Sequence, residues 1–252
     1  MKRFLLFIAM LIFFMAQTVH SSLPETIEKI KQSIVGVGTY QITRSPPSKL
    51  MGTGFVIGDG HYVITNHHVT PEFIDEINRE QLSVFVGQGK KAKVRAASII
   101  MLDDIHDLAL LKMSGNPLPA MSLSRAENVK EGELYAFTGF PIGAALGLYP
   151  VTHRGIISAI SPVAIPVSST QTLDVKMIKR LRNPFDVFQL DATAYPGNSG
   201  SPLYDVKTGA VIGVVNKVFI KETKETVLEK PSGITYAIPV NHVSDLIKKA
   251  GL

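Results

Sequence analysis

The stretch YPGNSGSP, Tyr195 to Pro202, sets Ser199 between Asn198 and Gly200, with Gly197 just ahead of them. Such small residues suit a surface turn. They equally suit a backbone that gathers N–H groups around a charged oxygen beside a nucleophile. A serine hydroxyl attacks only when a base takes its proton and a third group orients that base. Candidates for both are present. His67 and His68 adjoin in VITNHHVT, after an apolar run and before a turn. Asp103, Asp104 and Asp107 cluster in MLDDIHDLALLKM. Asp107 touches the start of LALLKM and is best placed to be a buried carboxylate holding an imidazole through its Nδ1–H. Singly, each reads as an ordinary turn or salt-bridge residue. Together, in the order His, Asp, Ser, they point to acyl transfer through an activated serine.

These residues must be carried by short strands. After LPETIEKIKQSI, where Ile27, Ile30 and Ile34 predict a short amphipathic helix, the chain breaks into brief apolar runs separated by turns. IVGVGTYQI, GTGFVIG, HYVITN, LSVFVG, KVRAASII and LALLKM fill the first half. ELYAFTGFP, RGIISAI, FQLDA, AVIGVVNKVFI and ITYAIPV fill the second. GDGH, Gly58 to His61, is a hairpin signal. No βαβ rhythm or fixed-period repeat is present, so the class is all-β, a barrel or sandwich. NHVSDLIKKAGL predicts a closing helix, with Asn241 as cap and Val243, Leu246 and Ile247 as its apolar stripe. The expected organisation is a signal peptide over 1–21, a helix and first β unit over 22–125, and a second β unit with the closing helix over 126–252.

Composition narrows the setting. The chain has 252 residues, 45% hydrophobic and 19% charged, an ordinary globular balance with length for a substantial core. Without cysteine a disulfide framework and thiolate metal sites are excluded. Lys2 and Arg3 precede an unbroken apolar run from Phe4 to Ala16, shorter than a bilayer-spanning helix, then polar and small residues: the pattern of a cleaved export signal, with an uncleaved anchor or a buried helix as the alternatives. Its removal takes the formal charge from +5 to +3, by loss of those two cations. That is too mild to argue for nucleic acid. Export without cysteine suits a periplasm or the cell exterior. No metal motif or nucleotide loop is found, so no cofactor is expected. Lys176, Lys179, Arg180 and Arg182 form a basic stretch, read as a solvated loop or a contact for substrate or partner.

The segments GTGFVIGDGHYVITNHHV, HDLALLK, GFPIG, RGIISAI, DATAYPGNSGSPLYD, VIGVV and ITYAIPVN, spanning Gly52 to Asn241, resemble the trypsin-like serine proteases of the bacterial HtrA (Deg) type. The resemblance implies two six-stranded antiparallel β-barrels with the site in the cleft between them. It implies His68 rather than His67 as base, Asp107 as its orienting carboxylate, and Ser199 rather than Ser201 as nucleophile. The N–H groups of Gly197 and Ser199 are then the oxyanion donors. It also implies polypeptide substrates, unfolded or damaged chains above all, and a homo-oligomer, a trimer in many relatives.

Two departures qualify it. The chain stops soon after the closing helix, where many relatives continue into PDZ domains. Ser201 and Pro202 stand where the HtrA type usually has Gly and Ala, as in glutamyl endopeptidases, yet Val215 replaces the histidine those enzymes keep. By resemblance Thr193 lies at the base of the specificity pocket, with Lys217 and Val218 after its central strand. A neutral Thr193 cannot compensate a buried substrate charge. Cleavage after small or medium aliphatic residues is therefore expected. The rival expectation is a latent or chaperone-like binding module on the same fold.

Overall fold

The computed structural model describes residues 22–142, 147–163, 184–216 and 233–252. Residues 1–21, expected to be an export signal, the basic stretch Lys176 to Arg182, and Lys217 and Val218 lie outside the described residues.

The apolar runs form two closed antiparallel barrels, one before and one after residue 125. The first comprises β1 Ile34–Tyr40, β2 Ser48–Ile57, β3 Tyr62–Thr65, β4 Gln81–Val86, β5 Lys93–Asp103 and β6 Leu108–Met113. They close in the order β1-β2-β3-β6-β5-β4. The second comprises β7 Leu134–Gly139, β8 Val151–Pro162, β9 Asp186–Asp191, β10 Pro202–Asp205, β11 Val211–Asn216 and β12 Ile234–Pro239. They close as β10-β11-β12-β9-β8-β7. Gly58 and Gly60, with φ of 64° and 91°, make the β2–β3 turn that GDGH predicts.

Several strands read as continuous apolar runs because both their faces are buried. Val56, Ala109 and Leu111 point into the first barrel with Val35, Val37 and Val84. Their neighbours Phe55, Leu108 and Leu110 point outward, into a core shared with Phe140, Tyr204, Val214 and Ile238 of the second barrel. Phe137, Ile157, Phe188, Leu190 and Leu203 fill the second barrel. The cleft is therefore set by packing between the barrels as much as within them.

The helices cross this seam. Helix α1, Leu23–Ile30, precedes the first barrel but rests on the second. Ile30 Cγ2 lies 3.0 Å from where a Cβ on Gly209 would stand, and Thr26 Oγ1 donates to Lys207 C=O at 3.4 Å. Helix α2, Val240–Lys249, follows the second barrel but packs Val243 and Leu246 into the shared core with Leu108 and Leu110. The linker is fixed to both barrels: Met121 N–H donates to Val56 C=O and Ser124 N–H to Val211 C=O, each at 2.8 Å.

Two local expectations fail. Ile34 is not on α1: the helix ends at Ile30, a 3₁₀ turn Lys31–Ser33 follows, and Ile34 opens β1. The helical spacing of Ile34 is outweighed by the strand pairing that it begins opposite Phe55. Asn241 does not cap α2, because Pro239 holds the cap position and Asn241 lies inside the first turn.

Candidate active site

The turn that carries Ser199 is tied to both barrels. Thr53 N–H of β2 donates to Ser199 C=O, and Gly200 N–H donates to Val215 C=O of β11, each at 2.9 Å. Gly52 allows the approach. A Cβ there would stand 2.9 Å from Ser199 C=O and 2.7 Å from Val69 Cγ2, so its absence brings the turn against the residue that follows His68.

His68 and Asp107 meet at one end of the paired strands β3 and β6. His68 Nδ1 lies 2.6 Å from Asp107 Oδ2, and His68 N–H donates to Oδ1 at 2.9 Å. Asn216, at the end of β11, donates from Nδ2 to Asp107 Oδ2 at 2.7 Å. Asp107 C=O accepts from His67 N–H and Asn66 Nδ2, each at 3.1 Å. This fan of donors needs the backbone turned back, and Asp107 has φ of 55°. An aspartate tolerates that conformation better than most residues, at a cost of about 1–2 kcal/mol. Burial pushes the Asp107 carboxyl up, but hydrogen bonds and charge from His68, with the Asn216 amide, outweigh it and hold it below its usual value. An Nδ1–H given to a permanent carboxylate leaves His68 Nε2 with a lone pair.

The other adjacent histidine has a different partner. His67 Nδ1 pairs with Asp104 at 2.6 Å, and the Asp104 side chain is 57% exposed against 8% for Asp107. Of these two pairs, it is the one with His68 that is shielded from water on its carboxylate side, where an orienting charge acts most strongly.

The turn also presents N–H groups. Asn198 N–H is used internally, donating to Tyr195 C=O at 3.0 Å. Among the described residues, the N–H groups of Gly197 and Ser199 have no acceptor. Pro196 C=O accepts from Ile142 N–H at 2.7 Å. A trans peptide sets its N–H opposite its C=O, so the Gly197 N–H faces away from Ile142. Gly197 has φ of 100°, and a Cβ there would strike Phe140 C=O. Among the described residues the Ser199 hydroxyl makes no hydrogen bond, to His68 or to any other group. The arrangement can deliver a hydroxyl to a carbonyl, accept its proton, and receive negative charge on oxygen. Thr193 is half-buried between β9 and the turn.

Thr53 and Asn216 were not singled out from sequence. Thr53 Oγ1 donates to Gly197 C=O at 2.7 Å and accepts from the buried Phe140 N–H at 3.0 Å. Thr53→Val keeps the shape and strands both groups, a loss of about 1–3 kcal/mol each. Phosphonylation of Ser199 by a fluorophosphonate is expected to slow by about ten- to a hundredfold. An unchanged rate with an unchanged Tm would remove Thr53 from the machinery. The signal for Thr53 lay in GTGFVIG. For Asn216 it was a polar residue ending an otherwise apolar strand.

The loop that delivers Asp107 is itself braced. Asp103 accepts from the Ile105 and His106 N–H groups and from His106 Nδ1, the last at 2.7 Å. The His106 ring stacks on His242 of α2 at 3.9 Å and meets the edge of Phe185. Burial pushes Asp103 up, but His106 outweighs it and holds the carboxyl at about 2. Burial first, and then the charge of His106, push His242 from 6.5 down to about 4. The unfolded chain thus takes up a proton on His242 at a higher pH than the folded one. Its contribution to stability is complete above about 6.5 and is lost as pH falls toward about 4. Tm is expected to decline over that interval, with a shallower decline in His242→Phe. Equal slopes in the two proteins would refute the assignment.

Residues 52–214 match the model of the trypsin-like peptidase domain, and the chain belongs to that family. Its relatives include a protein of Halomonas elongata named "Probable periplasmic serine endoprotease DegP-like", 32% identical over 80% of this chain and 35% of the relative. Another is "Serine protease Do-like HtrA" of Lactococcus lactis, 28% identical over 92% of this chain and 57% of the relative. Among solved structures, an HtrA-type protease, AlgW, with a bound tripeptide superposes with a TM-score of 0.65 at 26% identity. That match covers 90% of this chain and 63% of that one. The chain thus spans about a third of the length of the DegP-like relative and just over half of the Lactococcus one. The two six-stranded barrels expected from the resemblance are the fold observed.

Proposed function

We propose that this chain is a serine endopeptidase acting outside the cytoplasm. Ser199 Oγ attacks the scissile carbonyl carbon while His68 Nε2 takes its proton. Asp107 holds the resulting imidazolium in place. The Gly197 and Ser199 N–H groups receive the charge that develops on the carbonyl oxygen. His68 then protonates the leaving amine as the C–N bond breaks, and a water activated by His68 releases the acyl group from Ser199. Asn216 and Thr53 position Asp107 and the turn.

The observation carrying this reading is the pairing of a buried Asp107–His68 contact with two unspent N–H groups on the turn that holds Ser199. Those same N–H groups favour a hydrolytic site over the latent or chaperone-like module. Substrates are unfolded or damaged polypeptides cut after small or medium aliphatic residues, a preference supported by the uncharged Thr193. The apolar, cation-led N-terminus and the periplasmic names of the relatives support export. Among the described residues no helix is long and apolar enough to cross a membrane. The test is fluorophosphonate labelling of the purified protein, with mass spectrometry locating the adduct. Labelling at Ser199 is expected, and its absence in folded protein would overturn the proposal.

A further inference from the structure

A cavity of about 680 Å³ opens between β2, the β4–β5 turn and the segment Gly147–Tyr149. Its floor is Leu50, Phe85 and Leu148. They converge above Gly36, where a Cβ would lie 2.6 Å from Leu50 Cδ1 and 3.3 Å from both Leu148 Cδ2 and Phe85 Cβ. The wall is fixed to the first barrel, with Gly89 N–H donating to Leu148 C=O at 2.9 Å. Tyr149 stands at the rim, 57% exposed. Two cations line the cavity, Arg44 and Lys49. Arg44 is engaged, with Nη1 at 2.7 Å from Glu80 and Nη2 donating to Thr39 and Pro47 C=O. Lys49 is exposed and makes no ion pair among the described residues.

The cavity continues the candidate active site. β2 runs from Thr53, bonded to Ser199 C=O, back through Gly52 to Leu50 and Lys49. At the rise of a strand, those two residues stand roughly 7–10 Å from Gly52. On the turn itself, Ile142 N–H holds Pro196 C=O. The end of β11, whose Val215 C=O accepts from Gly200 N–H, lies on the other side of the turn, where the acyl half of a substrate would rest. The leaving half must depart toward the cavity, and an extended chain reaches it with about its third residue.

We propose that this cavity binds the part of the polypeptide substrate downstream of the cleaved bond. It takes an apolar side chain onto Leu50, Phe85, Leu148 and Tyr149, and a nearby carboxylate onto Lys49. The inference rests on the peptidase reading and adds to it a substrate class: chains with an apolar and acidic segment after the cut.

Fluorescence anisotropy on the Ser199→Ala protein tests it without requiring turnover. The probe is a labelled peptide with Val before the scissile bond and Phe and Glu at the third and fourth positions after it. The control has Lys in place of that Glu. The Glu peptide is expected to bind about tenfold more tightly at low salt, with the preference lost or inverted in Ser199→Ala/Lys49→Glu. Tyr149→Ala, placed in the same background, is expected to weaken both peptides. Both substituted residues are exposed, so Tm should hold. Equal affinities, or a preference that survives Lys49→Glu, would overturn the assignment. Failure of the peptidase reading shows separately, as absent labelling of Ser199 in the unsubstituted protein.

Discussion

Ser199→Ala is expected to abolish peptide-bond hydrolysis and fluorophosphonate labelling, lowering kcat by about 10⁶. Without the nucleophile no acyl-enzyme forms, and the remaining N–H groups can only bind the carbonyl. The fold should be untouched. The Ser199 hydroxyl makes no hydrogen bond among the described residues, while its backbone C=O, which Thr53 holds, is retained. Tm should therefore stay within a degree or two of the parent, since nothing buried is stranded. Ser201 cannot substitute. It is fully buried, and its Oγ occupies the space that a Cβ on Gly139 would need. Substantial activity in Ser199→Ala, lost on adding Ser201→Ala, would reverse the assignment.

Asp107→Asn is expected to lower kcat by about 10⁴ while leaving substrate affinity nearly unchanged. The carboxylate accepts at both oxygens: His68 N–H on one, His68 Nδ1–H and Asn216 Nδ2 on the other. An asparagine must put an NH₂ at one of these positions. Beside His68 N–H it opposes a donor that cannot move. Beside His68 Nδ1 it opposes the Asn216 amide and turns the imidazole into the other tautomer, with the hydrogen on Nε2. That nitrogen then has no lone pair for the Ser199 proton. The shift is readable by ¹⁵N NMR of the His68 ring alongside the fall in kcat. A loss below about tenfold, with the Nδ1–H tautomer retained, would contradict this account.

The barrels were legible in the sequence because turn residues cut the chain into runs of strand length. The runs buried on both faces, such as LALLKM, showed it most clearly. His68, Asp107 and Ser199 each read singly as ordinary turn residues and stood out only together, by their order along the chain and the motifs around them. Thr53 and Asn216 did not, because their partners lie 87 and 109 residues away along the chain and meet them only when the barrels dock. Local spacing alone did not separate His67 from His68; the resemblance chose His68, and in the structure His68 pairs with the buried Asp107 while His67 pairs with the exposed Asp104. Ile34 misled because its spacing from Ile27 and Ile30 fits a helix, while strand pairing is not a property of spacing.

The crossed helices bear on how activity would be lost. α2 covers the far barrel, and its His242 forms one side of the stack that braces the turn before Asp107. Fraying of this one helix would uncover His106 and free the turn that aims the carboxylate, while both barrels kept their strand ladders. Inactivation on warming or in acid would then run ahead of global unfolding. Assays of residual structure would overestimate the working enzyme, and a partner that clasped α2 in place would preserve activity without touching the cleft.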